Sequence, residues 1–146
     1  EFIDYYSKNI ANDSKPIEGL LEFLNWAKLK KISMAVCTNK QERLANDLLK
    51  KLNLFDFFDY VAGSDTFAFN KPDPRHLTDV VEIVGGDLKR TIMVGDSEVD
   101  EMAANNAKLP FILVEDGYTE KKISQIKHDE LIKNYIGFDK IISKYL

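Results

Sequence analysis

The stretch of sequence that decides the fold is Thr91-Ile92-Met93-Val94-Gly95-Asp96-Ser97-Glu98-Val99-Asp100. Its first four residues predict a short buried strand. The polar loop Gly95-Asp96-Ser97 then ends the apolar run, and helical spacing resumes near Glu98 and predicts a helix to about Ala107. A strand, a short loop and a helix in this order form one repeating unit of an α/β sheet.

The rest of the chain repeats this alternation. The spacing of apolar residues predicts further strands at residues 32–37, Tyr60–Ala62 and Phe111–Val114, and helices at residues 2–10, 17–29, 41–52, 74–84 and from about 139. This pattern predicts an α/β fold, a doubly wound parallel sheet with helices on both faces. Such sheets bind ligands beyond the carboxyl ends of their strands.

Composition excludes several classes of protein. The single cysteine cannot form an internal disulfide, and with two histidines it does not make a Cys/His zinc site, so any metal must be held by oxygen. A net charge of -4, with Lys and Arg spread along the chain, offers no basic face for nucleic acid. Apolar runs are far shorter than the about 20 residues of a membrane span. No secretory signal is evident, and we expect a cytoplasmic protein.

Three polar side chains follow the predicted strands at the edge where such sheets bind ligands. Thr38 comes directly after the strand at residues 32–37, and Asp96 comes one residue after the strand at residues 91–94. Lys71 lies in the loop after the strand at Tyr60–Ala62. Because the carboxyl ends of parallel strands share one edge of a sheet, we expect the three side chains to converge.

Each of these residues has a chemical and a structural interpretation. Asp96 and Asp100 are hard oxygen ligands suited to Mg²⁺, or Asp96 and Glu98 are helix-start acids favoured by the helix dipole and Asp100 is a solvated charge. Thr38, helped by the Asn39 N–H, binds a phosphate oxygen, or it caps the next helix. Lys71 supplies positive charge to a transferring phosphoryl group, or it is a solvated loop lysine. Taken singly, the residues leave both interpretations open.

The three motifs together, in this order, resemble the second, third and fourth motifs of the haloacid dehalogenase superfamily. Within it the sequence is similar to the phosphoglycolate phosphatase group. The segments that carry the resemblance are Ala35-Val36-Cys37-Thr38-Asn39-Lys40, Asn70-Lys71-Pro72-Asp73-Pro74, Val94-Gly95-Asp96-Ser97 and Gly117-Tyr118. The resemblance covers about residues 16 to 146 and implies that residues 14–146 form the catalytic core and residues 1–13 the end of a helical cap.

The resemblance also implies an activity and a role for each residue. Thr38 and Asn39 would bind phosphate, Lys71 would stabilise the phosphate and the nucleophile, Asp96 would ligate Mg²⁺, and Asp100 would ligate it or support a ligand. The implied reaction is hydrolysis of a small phosphorylated metabolite through an aspartyl-phosphate. A phosphomutase or phosphonatase would keep the same core residues, and a catalytically inactive phosphate-binding module is a third alternative.

The sequence departs from the superfamily in one respect. The superfamily's nucleophile motif, Asp-x-Asp-Gly-Thr, does not occur in this sequence. The resemblance would place that motif's strand in the centre of the sheet, between the strands that end before Thr38 and Asp96. We therefore expect a sheet without its central first strand and a native protein longer than this chain. The chain alone is expected to be inactive unless the missing segment, or a second copy, completes it.

Two further side chains are given structural interpretations. His76 falls in the first turn of a predicted helix and is expected to be a surface residue. Cys37 ends a buried strand beside the proposed phosphate site and is expected to pack in the core.

Overall fold

The computed structural model describes residues 2–5, 11–12, 15–16, 18–115 and 126–145, with side chains described from residue 18 onward within those ranges. The strands in these ranges are β1 (Phe2–Tyr5), β2 (Ala11–Asn12), β3 (Lys15–Pro16), β4 (Ser33–Cys37), β5 (Tyr60–Ala62), β6 (Thr91–Gly95), β7 (Phe111–Val114) and β8 (Glu130–Ile132). The α-helices are α1 (Leu20–Leu29), α2 (Glu42–Lys51), α3 (Arg75–Ile83), α4 (Glu98–Asn106) and α5 (Phe138–Ser143). None of the described helices is long and apolar enough to cross a bilayer.

Six strands form one parallel sheet in the order β5-β4-β1-β6-β7-β8, while β2 and β3 pair as a separate antiparallel hairpin. The predicted fold class is confirmed. The strand order runs outward from β1 in both directions, so the sheet reverses its winding at β1. The crevice above β1, between the ends of β4 and β6, is the place where a doubly wound sheet binds its ligand.

The two faces of the sheet bury separate apolar clusters. Val36 and Val94 point to the face covered by α1, α2 and α5, whereas their neighbours Ala35 and Met93 point to the face covered by α3 and α4. Successive strand residues point to opposite faces of the sheet, and both faces are buried. Strands β4 and β6 therefore need apolar residues at nearly every position. Cys37 is fully buried in the second cluster, which confirms its predicted core position.

The first segment of the chain differs from the prediction. We expected a helix at residues 2–10 and an empty centre of the sheet, and both expectations are wrong over Phe2–Tyr5. This segment is the central strand β1, where Ile3 pairs with Met34 of β4 and with Ile92 of β6. The remainder of that predicted helix lies outside the described residues.

The physical reason is the open slot between β4 and β6. Two facing rows of backbone groups would otherwise be buried unpaired, at about 1–3 kcal/mol for each group. Apolar spacing over so short a segment also fits a strand as well as it fits a helix. The boundary at residue 13 between cap and core stays a prediction for the whole protein.

Candidate functional site

The carboxyl edge of the sheet brings Lys71 and Asp100 together as a buried ion pair. Lys71 Nζ lies 2.6 Å from Asp100 Oδ1, and the two side chains are 4% and 5% exposed. The alternatives that Lys71 is a solvated loop lysine and that Asp100 is a solvated charge are therefore wrong. Charges this far from water persist in a folded protein when they are paired and hydrogen-bonded.

The second oxygen of Asp100 holds the loop before α4. Asp100 Oδ2 accepts hydrogen bonds from the Asp96 backbone N–H at 3.0 Å and from the Ser97 hydroxyl at 3.2 Å. The preceding residue, Gly95, must lack a side chain, because a Cβ there would lie 2.5 Å from Asp100 Cβ and Oδ2. Both oxygens of Asp100 are thus engaged by protein donors. The carboxylate fixes the Asp96 loop and keeps the Lys71 ammonium at the sheet edge.

Asp96 is the other member of the predicted metal-binding pair. It follows β6 directly and is half-buried. Within the part of the chain that the structure describes, no group of three or more His, Cys, Asp or Glu side chains is placed to hold a metal ion. Mg²⁺ takes only one or two protein carboxylates and keeps water and phosphate in its other positions. The metal roles of Asp96 and Asp100 stay predictions.

Thr38 and Asn39 lie at the same edge, directly after β4. Thr38 is 2% exposed, and its Oγ1 accepts a hydrogen bond from the Lys40 N–H at 3.0 Å. The alternative that Thr38 caps the following helix is wrong, because the N-cap residue of α2 is Gln41. Because Thr38 Oγ1 accepts this hydrogen bond through a lone pair, its O–H group can still donate a hydrogen bond to a ligand. Asn39 Nδ2 donates to the Lys71 backbone carbonyl at 2.8 Å, so these two motifs meet as predicted.

His76 is part of this site, and the prediction that it lies on the surface is wrong. It is fully buried, and its Nδ1 accepts a hydrogen bond from the Lys71 backbone N–H at 3.0 Å. Its position on α3 follows from the helix period, because His76 and Val80 are four residues apart and share the buried face with Leu77 and Val81. The same spacing is visible in the sequence and could have placed His76 inside.

Burial has a large effect on the ionisation of His76. Loss of solvation, and then the nearby Lys71 ammonium, lower the pKa of the imidazole from 6.5 to about 4. The Ala62 backbone and the carboxylates of Asp73 and Asp100 act in the opposite direction but do not reverse the shift. The ring is therefore neutral at neutral pH. Because its Nδ1 is a hydrogen-bond acceptor, its proton resides on Nε2.

Acid is expected to destabilise the protein through His76. The unfolded chain takes up a proton on this residue below pH 6.5, whereas the folded protein takes it up only near pH 4. The free energy of unfolding should therefore fall as the pH drops from about 6.5 to about 4, by at most about 3 kcal/mol. Urea unfolding across this range would measure it. His76→Asn should show a shallower pH dependence, and identical slopes for the two proteins would contradict the assignment.

Comparison with known proteins identifies the family of this chain. The sequence pattern of the family described as haloacid dehalogenase-like hydrolase matches residues 1–114. A phosphoglycolate phosphatase of Agrobacterium fabrum is 42% identical over 148 residues, covering 98% of this chain and 64% of that protein. One of Mesorhizobium japonicum is 39% identical over 134 residues, covering 92% and 59%. The chain thus spans about three fifths of the length of these curated relatives.

Solved structures share the fold. A predicted phosphoglycolate phosphatase from Haemophilus somnus superposes with a TM-score of 0.82 at 26% identity, covering 92% of this chain and 60% of that one. A HAD-superfamily hydrolase of subfamily IA from Geobacter sulfurreducens gives 0.73 at 25% identity, covering 86% and 60%. The ordered motifs, the parallel sheet and the family match over more than half of the chain lead to one conclusion. The chain belongs to the haloacid dehalogenase-like hydrolase family.

Proposed function

We propose that the protein of which this chain forms at least part is a Mg²⁺-dependent phosphatase, which acts in the cytoplasm on a small phosphate monoester of the phosphoglycolate type. The buried Lys71–Asp100 pair is the observation that carries the proposal. It keeps a positive charge at the winding reversal of the sheet, next to Asp96 and within one hydrogen-bond network with Asn39. The names of the curated relatives support phosphoglycolate as the first substrate to test.

The chain's own residues would bind and orient the phosphate. Thr38 would donate a hydrogen bond from its hydroxyl to a phosphate oxygen, since its Oγ1 already accepts one from the Lys40 backbone N–H. The Lys71 ammonium carries three donors and would offset the negative charge of the transferring phosphoryl group. Asp100, which binds that ammonium at 2.6 Å, would keep it fixed while the reaction proceeds. Positioned charges of this kind need no reorganisation during the reaction.

Asp96 would hold the metal, and Asp100 would support it through the Asp96 backbone N–H. When bound, Mg²⁺ neutralises phosphate charge and orients the ester for in-line attack. The proposed reaction passes through an aspartyl-phosphate, whose aspartate would belong to an Asp-x-Asp-Gly-Thr motif that this sequence does not contain. We assign the nucleophile to no described residue.

A panel of phosphate monoesters that includes 2-phosphoglycolate and an aryl phosphate, assayed with the whole protein, tests the proposal. We expect release of orthophosphate that EDTA abolishes and Mg²⁺ restores, with the highest kcat/KM on 2-phosphoglycolate. A phosphomutase would instead convert a sugar phosphate to its isomer, and a phosphonatase would cleave a carbon–phosphorus bond. Phosphate binding without turnover of any ester would indicate the inactive binding module.

A further inference from the structure

We propose that His76 is a positioning residue, which fixes the backbone of Lys71 so that the lysine side chain reaches the phosphate site. The inference deepens the proposed function and rests on it. His76 is neutral at neutral pH, so it does not attract phosphate by a charge of its own. It acts through Lys71, by accepting the hydrogen bond from that residue's N–H at 3.0 Å.

The Lys71 backbone is held from both sides. Its N–H donates to His76 Nδ1, and its carbonyl accepts from Asn39 Nδ2 at 2.8 Å. With the backbone fixed at these two points, the side chain extends to Asp100, where Nζ and Oδ1 are 2.6 Å apart. The direction of the ammonium therefore depends on the two peptide units that flank the Lys71 Cα, and His76 holds the first of them.

His76 is itself rigidly placed. Its backbone carbonyl accepts a hydrogen bond from Cys37 Sγ at 3.3 Å, and its backbone N–H donates to the Asp73 carbonyl at 3.2 Å. The ring of Phe67 lies edge-on to the imidazole, with centroids 6.1 Å apart and an interplanar angle of 85°. A fully buried ring with such neighbours has little freedom to turn. It can transmit a fixed position to Lys71.

The chemistry of the ring suits this role. A buried acceptor for a backbone N–H must keep its lone pair at working pH, and the lowered pKa of His76, about 4, keeps Nδ1 unprotonated at neutral pH. An apolar residue of similar volume would leave the Lys71 N–H buried without an acceptor, and the loop would shift to find one. Misplacement of a reacting-site group by about 1 Å can lower a rate about 100-fold.

Two variants separate the hydrogen bond from the packing. His76→Asn keeps an acceptor oxygen near the position of Nδ1 and removes the rest of the ring, whereas His76→Leu keeps apolar bulk and removes the acceptor. With the whole protein, saturating Mg²⁺ and 2-phosphoglycolate, we expect His76→Leu to lower kcat about 10- to 100-fold with little change in KM. His76→Asn should retain kcat within about 5-fold. An equal loss in both variants would assign His76 to packing and overturn the proposal.

A second readout is independent of catalysis. In the wild-type protein, ¹⁵N NMR should show an unprotonated, hydrogen-bonded Nδ1 on His76 and slow hydrogen exchange at the Lys71 amide. That exchange should stay slow in His76→Asn and become fast in His76→Leu. A protonated Nδ1, which needs no variant to detect, would overturn the proposal. The Lys71 amide could exchange slowly in the wild type and in His76→Asn and fast in His76→Leu, while no phosphate ester is turned over. That result would contradict the proposed function and leave the positioning of Lys71 supported.

Discussion

Replacing Lys71 with methionine is expected to lower the free energy of unfolding by about 3–5 kcal/mol, because it leaves the Asp100 carboxylate buried without its counter-charge. Asp100 is 3% exposed, and water cannot take the place of the lost ammonium without rearranging the loop. The remaining donors to Asp100, the Asp96 N–H and the Ser97 hydroxyl, are neutral dipoles that do not balance a full charge. Urea unfolding at neutral pH would measure the loss.

A double variant tests the cause. Lys71→Met combined with Asp100→Asn removes both charges and keeps similar volumes, so it should recover most of the stability that the single change loses. Lys89→Met is a matched control on an exposed lysine and should change stability by no more than about 0.5 kcal/mol. If the single variant at Lys71 were as stable as this control, the buried pair would not exist in solution.

The strands that carry the site were predictable because their sequences are unambiguous. The predicted bounds of β5 and β7 coincide with the structure, and those of β4 and β6 differ by one residue. Their apolar runs are short and end at polar loops, which is what a strand buried on both faces requires. Strand β8 was missed because it reads Glu130-Leu131-Ile132 at the edge of the sheet, where Leu131 is 42% exposed and no apolar run is needed.

The partners of the site residues were harder to predict than their positions. The strand-end rule placed Lys71 and Asp96 at the same edge, but which acid the lysine binds depends on a contact between residues 29 positions apart. Local spacing carries no information on such a contact. The same holds for His76, whose acceptor role depends on how the loop after β5 folds back over α3. Sequence patterns therefore predicted that the Thr38, Lys71 and Asp96 motifs share one edge of the sheet, but not which side chains bond to one another there.

Removing the Asp96 carboxylate is expected to have the largest effect on activity. On the proposed function, Asp96→Asn should lower kcat/KM at least about 100-fold, which corresponds to about 2.7 kcal/mol in the barrier, and should weaken the binding of Mg²⁺. Asparagine keeps the size of the side chain and one oxygen, and its backbone N–H can still donate to Asp100. The loss would therefore report the negative charge rather than the fold of the loop.

Glu98→Gln is the matched control for this change. It removes one negative charge from the first turn of α4, two residues from Asp96, and so has a similar effect on the helix dipole. Calorimetric titration with Mg²⁺ and the dependence of activity on its concentration should distinguish the two variants, with Glu98→Gln close to the wild type. Equal losses in both would mean that the loop needs general negative charge and that Asp96 is not a ligand. Unchanged Mg²⁺ affinity in Asp96→Asn would place the metal elsewhere.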